Sequence, residues 1–82
     1  MINRDILLIV DDVKMNRAIL KGMFESQYRT MEADNGSAAM QLMEQYKNEI
    51  AVVLLDLIMP VMDGYQVMQE MNRLGYISEM PV

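Results

Sequence analysis

The sequence predicts an α/β fold built on a parallel sheet. Three observations carry this. Two short, unbroken apolar runs, Ile6–Val10 and Ile50–Leu55, each stop at an aspartate. Three other stretches repeat apolar residues at three- and four-residue spacing. Strand-like and helix-like patterns alternate along the chain, the order that builds a parallel sheet through helical crossovers.

Ile6–Val10 is apolar throughout and rich in branched residues. A strand without polar alternation is buried on both faces, so this is an inner strand. The period changes at Val13. Met15, Ile19 and Met23, with Leu20 and Phe24, recur at helical spacing among Lys14, Arg17 and Lys21. An amphipathic helix is expected there, starting just after Asp12, a good capping residue. Tyr28 to Ala33 alternates, with Tyr28, Thr30 and Glu32 on one side and Arg29, Met31 and Ala33 on the other. That suits a strand with a wetter face or an edge position.

Asp34-Asn35-Gly36-Ser37 is turn chemistry. Ala39, Leu42, Met43 and Tyr46 form a second helical stripe, closed by Lys47-Asn48-Glu49. Ile50–Leu55 is the second buried strand and ends at Asp56. Pro60 disfavours helix at Met59, and Asp63-Gly64 reads as cap and turn. Val67, Met68, Met71 and Leu74 make a third stripe that Gly75 can stop. Tyr76 to Pro81 reads as loop, and Val82 stands where a further strand could begin. The crossovers should be right-handed.

At 82 residues the chain holds one small domain. Its 52% hydrophobic and 23% charged content is that of a globular protein, not of a disordered tail. The net charge of −5 opposes a sequence-independent grip on nucleic acid, so no direct nucleic-acid binding is expected. No apolar run approaches the roughly 18 residues of a membrane span, and the first residues lack the shape of a secretory signal. A cytoplasmic location is expected. There is no cysteine and no histidine. Disulfides, thiolate metal sites and histidine-dependent hydrolytic or zinc chemistry are thereby excluded. What remains is carboxylate chemistry. The eleven methionines read as filler of irregular core gaps, or else as an adaptable exposed surface.

Asp11 and Asp12 follow one buried strand and Asp56 ends another. Sites in open α/β sheets form outside the carboxyl ends of the strands. If the two strands are neighbours, the three carboxylates converge and repel. A hard divalent cation with oxygen ligands relieves that repulsion, and magnesium suits a few carboxylates plus water and phosphate oxygens. Beside such an ion a carboxylate can attack phosphorus. Asp56 stands alone at its strand end and is the better nucleophile, whereas Asp11-Asp12 is an acidic pair suited to metal. The plainer alternative is that Asp11-Asp12 caps the first helix and Asp56 merely ends a strand.

The sequence resembles the receiver domain of bacterial two-component response regulators. Leu7-Leu8-Ile9-Val10-Asp11-Asp12 is similar to that family's first strand and acidic pair. Asn16 and Leu20 fall where its first helix carries such residues. Ala33-Asp34-Asn35-Gly36 with Ala39 matches the close of its second strand. Val52-Val53-Leu54-Leu55-Asp56-Leu57-Ile58-Met59-Pro60-Val61-Met62-Asp63-Gly64 resembles the phosphorylation motif and its following loop. The resemblance implies a three-layer flavodoxin-like sheet of order 2-1-3-4-5, of which this chain holds three strands and three helices. It implies that Asp56 accepts a phosphoryl group from a histidine kinase or phosphotransfer protein. It implies Mg2+ held by Asp11, Asp12, Asp56 and the backbone carbonyl of Ile58. The chain would then be a signalling module and not an enzyme. A phosphatase of the haloacid dehalogenase kind would need an acid two residues after the nucleophile, and Ile58 stands there.

On this resemblance residues 1–82 would correspond to the N-terminal two thirds of such a domain, and no second domain is expected within them. The family's switch hydroxyl and its pairing lysine belong to later strands; Lys14, Lys21 and Lys47 sit in or beside the first two helices, and Ser78 precedes the fourth strand. Slow or absent phosphoryl uptake is therefore expected. The apolar Ile50–Leu55 strand would be left as an open edge, which invites pairing with another chain. Two readings compete: the chain is part of a longer regulator, or it associates, as a homodimer covering that edge. The alternative function is accordingly a protein-interaction module that is not phosphorylated.

Overall fold

The computed structural model describes residues 4–56 and 64–75. The elements run β1 (Ile6–Val10), α1 (Lys14–Phe24), β2 (Arg29–Ala33), α2 (Gly36–Tyr46), β3 (Ile50–Leu55) and α3 (Gly64–Leu74). The strands form one sheet in the order β2-β1-β3, with both pairings parallel. All six expected elements are present. The expectations on Ile58 to Asp63 and on Tyr76 to Val82 lie outside the described residues.

β1 is central, and its five residues are all buried, as an inner strand without alternation requires. Ile6, Leu8 and Val10 enter a core with Ala33, Ala39, Met43, Ile50, Val53, Val67 and Met71. α2 and α3 therefore pack on one face. Leu7 and Ile9 point the other way, because successive side chains alternate across a strand, and they are equally buried. α1 lies against β1 and β2. Each large aliphatic side chain sealed in this way contributes about 1.5 to 3 kcal/mol.

β3 is one residue longer than β1. The register runs Ile6↔Ile50, then Leu7↔Val52, so Ala51 is accommodated in a bulge. The extra residue brings Val10 level with Leu55, and Asp11 and Asp56 then leave the sheet at the same height. The bulge also explains why the fully buried positions of β3, Ile50 and Val53, lie three apart rather than two.

α1 departs from expectation. No residue of it is fully buried, and Met15, Ile19 and Met23 are 72%, 55% and 62% exposed. The sheet-facing row is Arg17, Leu20 and Phe24, all half-buried. Met15, Ile19 and Met23 lie on the adjacent row and turn away from the sheet. The methionines divide in consequence: Met43 and Met71 fill the core, while Met15, Met23 and Met68 are exposed.

The opposite end of the sheet is tied by charge. Arg29 forms a fork with the Asp5 carboxylate, both bonds 2.8 Å, and reaches Glu49 at 2.9 Å. The Arg4 guanidinium donates to the carbonyls of Lys47 and Ile50. The hydrogen bond from Arg29 holds the Asp5 carboxyl below its usual range. α2 is capped by Asn35, whose side chain accepts the Ala38 N–H at 2.8 Å. Among the described residues, no strand pairs with the outer edge of β3. No helix among them is long and apolar enough to cross a membrane.

Candidate functional site

Asp11 is the first residue beyond β1, and every polar group it carries is engaged. Its N–H donates to the Ala33 carbonyl at 3.1 Å, extending the ladder with β2. Its carbonyl accepts from Arg17 Nη1 at 2.8 Å. Oδ1 accepts the Val13 N–H at 2.8 Å, and Oδ2 accepts from Asn16 Nδ2 at 3.3 Å. Asp12 is exposed. Asp56 follows β3, and its N–H donates to the Val10 carbonyl at 2.9 Å. The neighbouring strands thus deliver Asp11 and Asp56 side by side.

Asp11, Asp12 and Asp56 each offer a carboxylate oxygen, and these oxygens lie within 4.8 Å of one another. A cleft of about 300 Å³ opens at this end of the sheet, lined by Val10, Asp11, Leu20, Leu54, Leu55 and Asp56. At this spacing each pair of charges repels by about 1 kcal/mol in a water-like dielectric, and by about 3 to 4 kcal/mol at an effective dielectric of 20. All the donors are hard oxygens and all carry charge. That set fits magnesium and is unsuited to soft metals.

The helix cap is a correction. Asp12 does not cap α1: the N-cap is Val13, which makes no side-chain cap bond. Asp11 serves the turn instead through the Val13 N–H. All three expected carboxylates come together; the carbonyl of Ile58 lies outside the described residues. Sequence reasoning missed Arg17 and Glu32, which are joined at 3.1 Å. The signal was a cation on the same helical row as Leu20 and Phe24, where an apolar residue would be ordinary. A second groove, about 460 Å³, runs between α2 and α3 past Met40, Glu44, Glu70 and Leu74, and none of Asp11, Asp12 and Asp56 lines it.

The response regulator receiver domain model matches residues 7–82. The chain belongs to the receiver domain family. Receiver domains are two-component signalling modules. This one is 31% identical over 77 residues to the two-component response regulator ORR5 of Oryza sativa subsp. japonica, spanning 93% of this chain and 57% of the rice protein. The signal receiver domain of a LuxO repressor protein from Vibrio parahaemolyticus is 26% identical, with a TM-score of 0.81 over 89% of this chain and 55% of that one. The receiver domain of Ssk1 from Saccharomyces cerevisiae, solved with the histidine phosphotransfer protein Ypd1, shares the fold: 22% identity and a TM-score of 0.80, over 95% of this chain and 53% of that one. The receiver chain thus spans little more than half of each of these three proteins.

Proposed function

We propose that Asp56 is the phosphoacceptor of this receiver chain and that Asp11, Asp12 and Asp56 hold Mg2+ with the carbonyl of Ile58. The observation that carries this reading is the convergence of three carboxylates within 4.8 Å at the carboxyl end of the sheet. The magnesium ion supplies positive charge against the incoming phosphoryl oxygens. Asp56 supplies the nucleophile: an oxygen–phosphorus bond forms as the phosphorus–nitrogen bond of a phosphohistidine breaks, and the imidazole nitrogen keeps the electron pair. Asp11 is held by its hydrogen bonds and presents a fixed anion, so little reorganisation is needed when the cation arrives.

The donor in this reading is a cytoplasmic histidine kinase or a phosphotransfer protein, and the Ypd1–Ssk1 complex is a relative's example of such a partner. The receiver chain is then itself the acceptor and turns over no substrate. The test is prolonged incubation with acetyl phosphate and MgCl2, followed by intact-mass measurement. One slow phosphoryl adduct is expected, absent from Asp56→Asn and retained in Asp34→Asn. An adduct that survives in Asp56→Asn refutes the assignment.

Among the described residues the outer edge of β3 is unpaired, which supports a second reading, in which two copies pair through Ile50–Leu55. That run has no charged residue to oppose edge pairing. Sedimentation of the chain should then show a dimer that Asp56→Asn leaves intact. A folded monomer at high concentration rejects it.

A further inference from the structure

The Asp11 peptide is held from two sides. β2 takes its N–H through the Ala33 carbonyl at 3.1 Å. Its carbonyl takes Arg17 Nη1 at 2.8 Å, in a part-buried bond. The same guanidinium places Nε against Glu32 Oε1 at 3.1 Å. Glu32 precedes Ala33 on β2. A closed circuit therefore runs from Asp11 to β2 by the backbone and returns through Glu32 and Arg17. The Arg17 side chain is only 15% exposed, although its helix contains no fully buried residue. An arginine turned toward the sheet, with its Nε and Nη1 both engaged, costs conformational freedom that a merely solvated cation keeps.

We propose that Arg17 and Glu32 are positioning residues for Asp11. Glu32 aims the Arg17 guanidinium, Arg17 fixes the Asp11 carbonyl, and the Asp11 carboxylate is thereby kept aimed at the Asp12–Asp56 cluster for a divalent cation. This rests on the reading of Asp11 as a cation ligand. Partners that orient a ligand without touching the ion commonly govern affinity.

The sign of the effect separates positioning from charge. Arg17 is a cation near an anionic site, so its field alone opposes divalent binding. If charge were its only influence, Arg17→Gln would tighten binding, as Lys14→Gln in the same turn should. Positioning requires the reverse. The probe is Mn2+, titrated by the paramagnetic resonance signal of the free ion and displaced with MgCl2, alongside a thermal melt of each variant. Arg17→Gln should bind on the order of 10-fold more weakly. Arg17→Lys keeps the charge but cannot span both contacts, and should lose on the order of 3-fold. The double variant Arg17→Gln/Glu32→Gln leaves net charge unchanged and should bind as weakly as Arg17→Gln alone, because Glu32 acts through Arg17. Binding by Arg17→Lys equal to wild type, tightening in Arg17→Gln, or additive losses in the double variant would overturn the proposal. Failure of the wild-type chain to bind Mn2+ would overturn the metal-site reading itself.

Discussion

Replacing Asp56 by asparagine should stabilise the metal-free chain while removing most of its response to magnesium. One carboxylate oxygen from each of Asp11, Asp12 and Asp56 lies within 4.8 Å of the other two. Asp56→Asn keeps the shape and deletes two of the three repulsions. Each is worth about 0.9 kcal/mol at the dielectric of water. Screening over a Debye length of roughly 8 Å cuts this to about half at physiological salt. The expected gain is therefore about 1 kcal/mol, or an increase of about 4 to 8 °C in melting temperature for a domain of this size. Thermal unfolding followed by circular dichroism, in EDTA and then in excess MgCl2, reads both halves. In EDTA the variant should melt higher than wild type, and the gap should shrink as salt is added. In MgCl2 the wild type should rise through mass action on the folded state, and the variant should rise much less. A variant that melts lower in EDTA, or that gains as much from MgCl2 as wild type, would refute the reasoning.

Further outcomes follow from the packing and the charges. Met43→Ala empties a fully buried core position and should cost about 2 to 5 kcal/mol. Met23→Ala, on the exposed row of α1, should stay within about 0.5 kcal/mol of wild type in urea unfolding. Asn35→Ala removes the acceptor for the Ala38 N–H and should cost about 1 kcal/mol. Arg29 depresses the Asp5 carboxyl, so the folded state binds that proton less readily than the unfolded state does. The resulting stability is present above the ordinary carboxylate value of about 4 and is lost as pH falls through the lower folded value. Arg29→Met should flatten that acid limb in melts taken across the acidic range, and an unchanged limb would reject the link.

Much of the fold was legible because its signals are local. The unbroken apolar runs at Ile6–Val10 and Ile50–Leu55 read as strands; β1 is buried throughout, β3 only at Ile50 and Val53, and the mixed pattern at Arg29–Ala33 suits an edge. The carboxylates were legible because each stands at the end of such a run. Three things were not legible. The bulge at Ala51 depends on two strands meeting in one register, which neither strand encodes alone. The rotation of α1 depends on which row of a two-row apolar pattern meets the sheet, and Arg17, Leu20 and Phe24 won over Met15, Ile19 and Met23. The Arg17–Glu32 pair joins residues fifteen apart, and only the packing of α1 beside β2 brings them together. Asp12 looked like a helix cap because aspartate favours that position, but the backbone enters the helix one residue later, at Val13.

The most direct test of the central claim is to locate the phosphoryl group. The chain is incubated with phosphoramidate, a small phosphorus–nitrogen donor, and MgCl2. It is then trapped with borohydride and mapped by peptide mass spectrometry. We expect reduction at Asp56 alone, dependent on MgCl2. Modification at Asp11 or Asp12 with Asp56 intact would contradict the account.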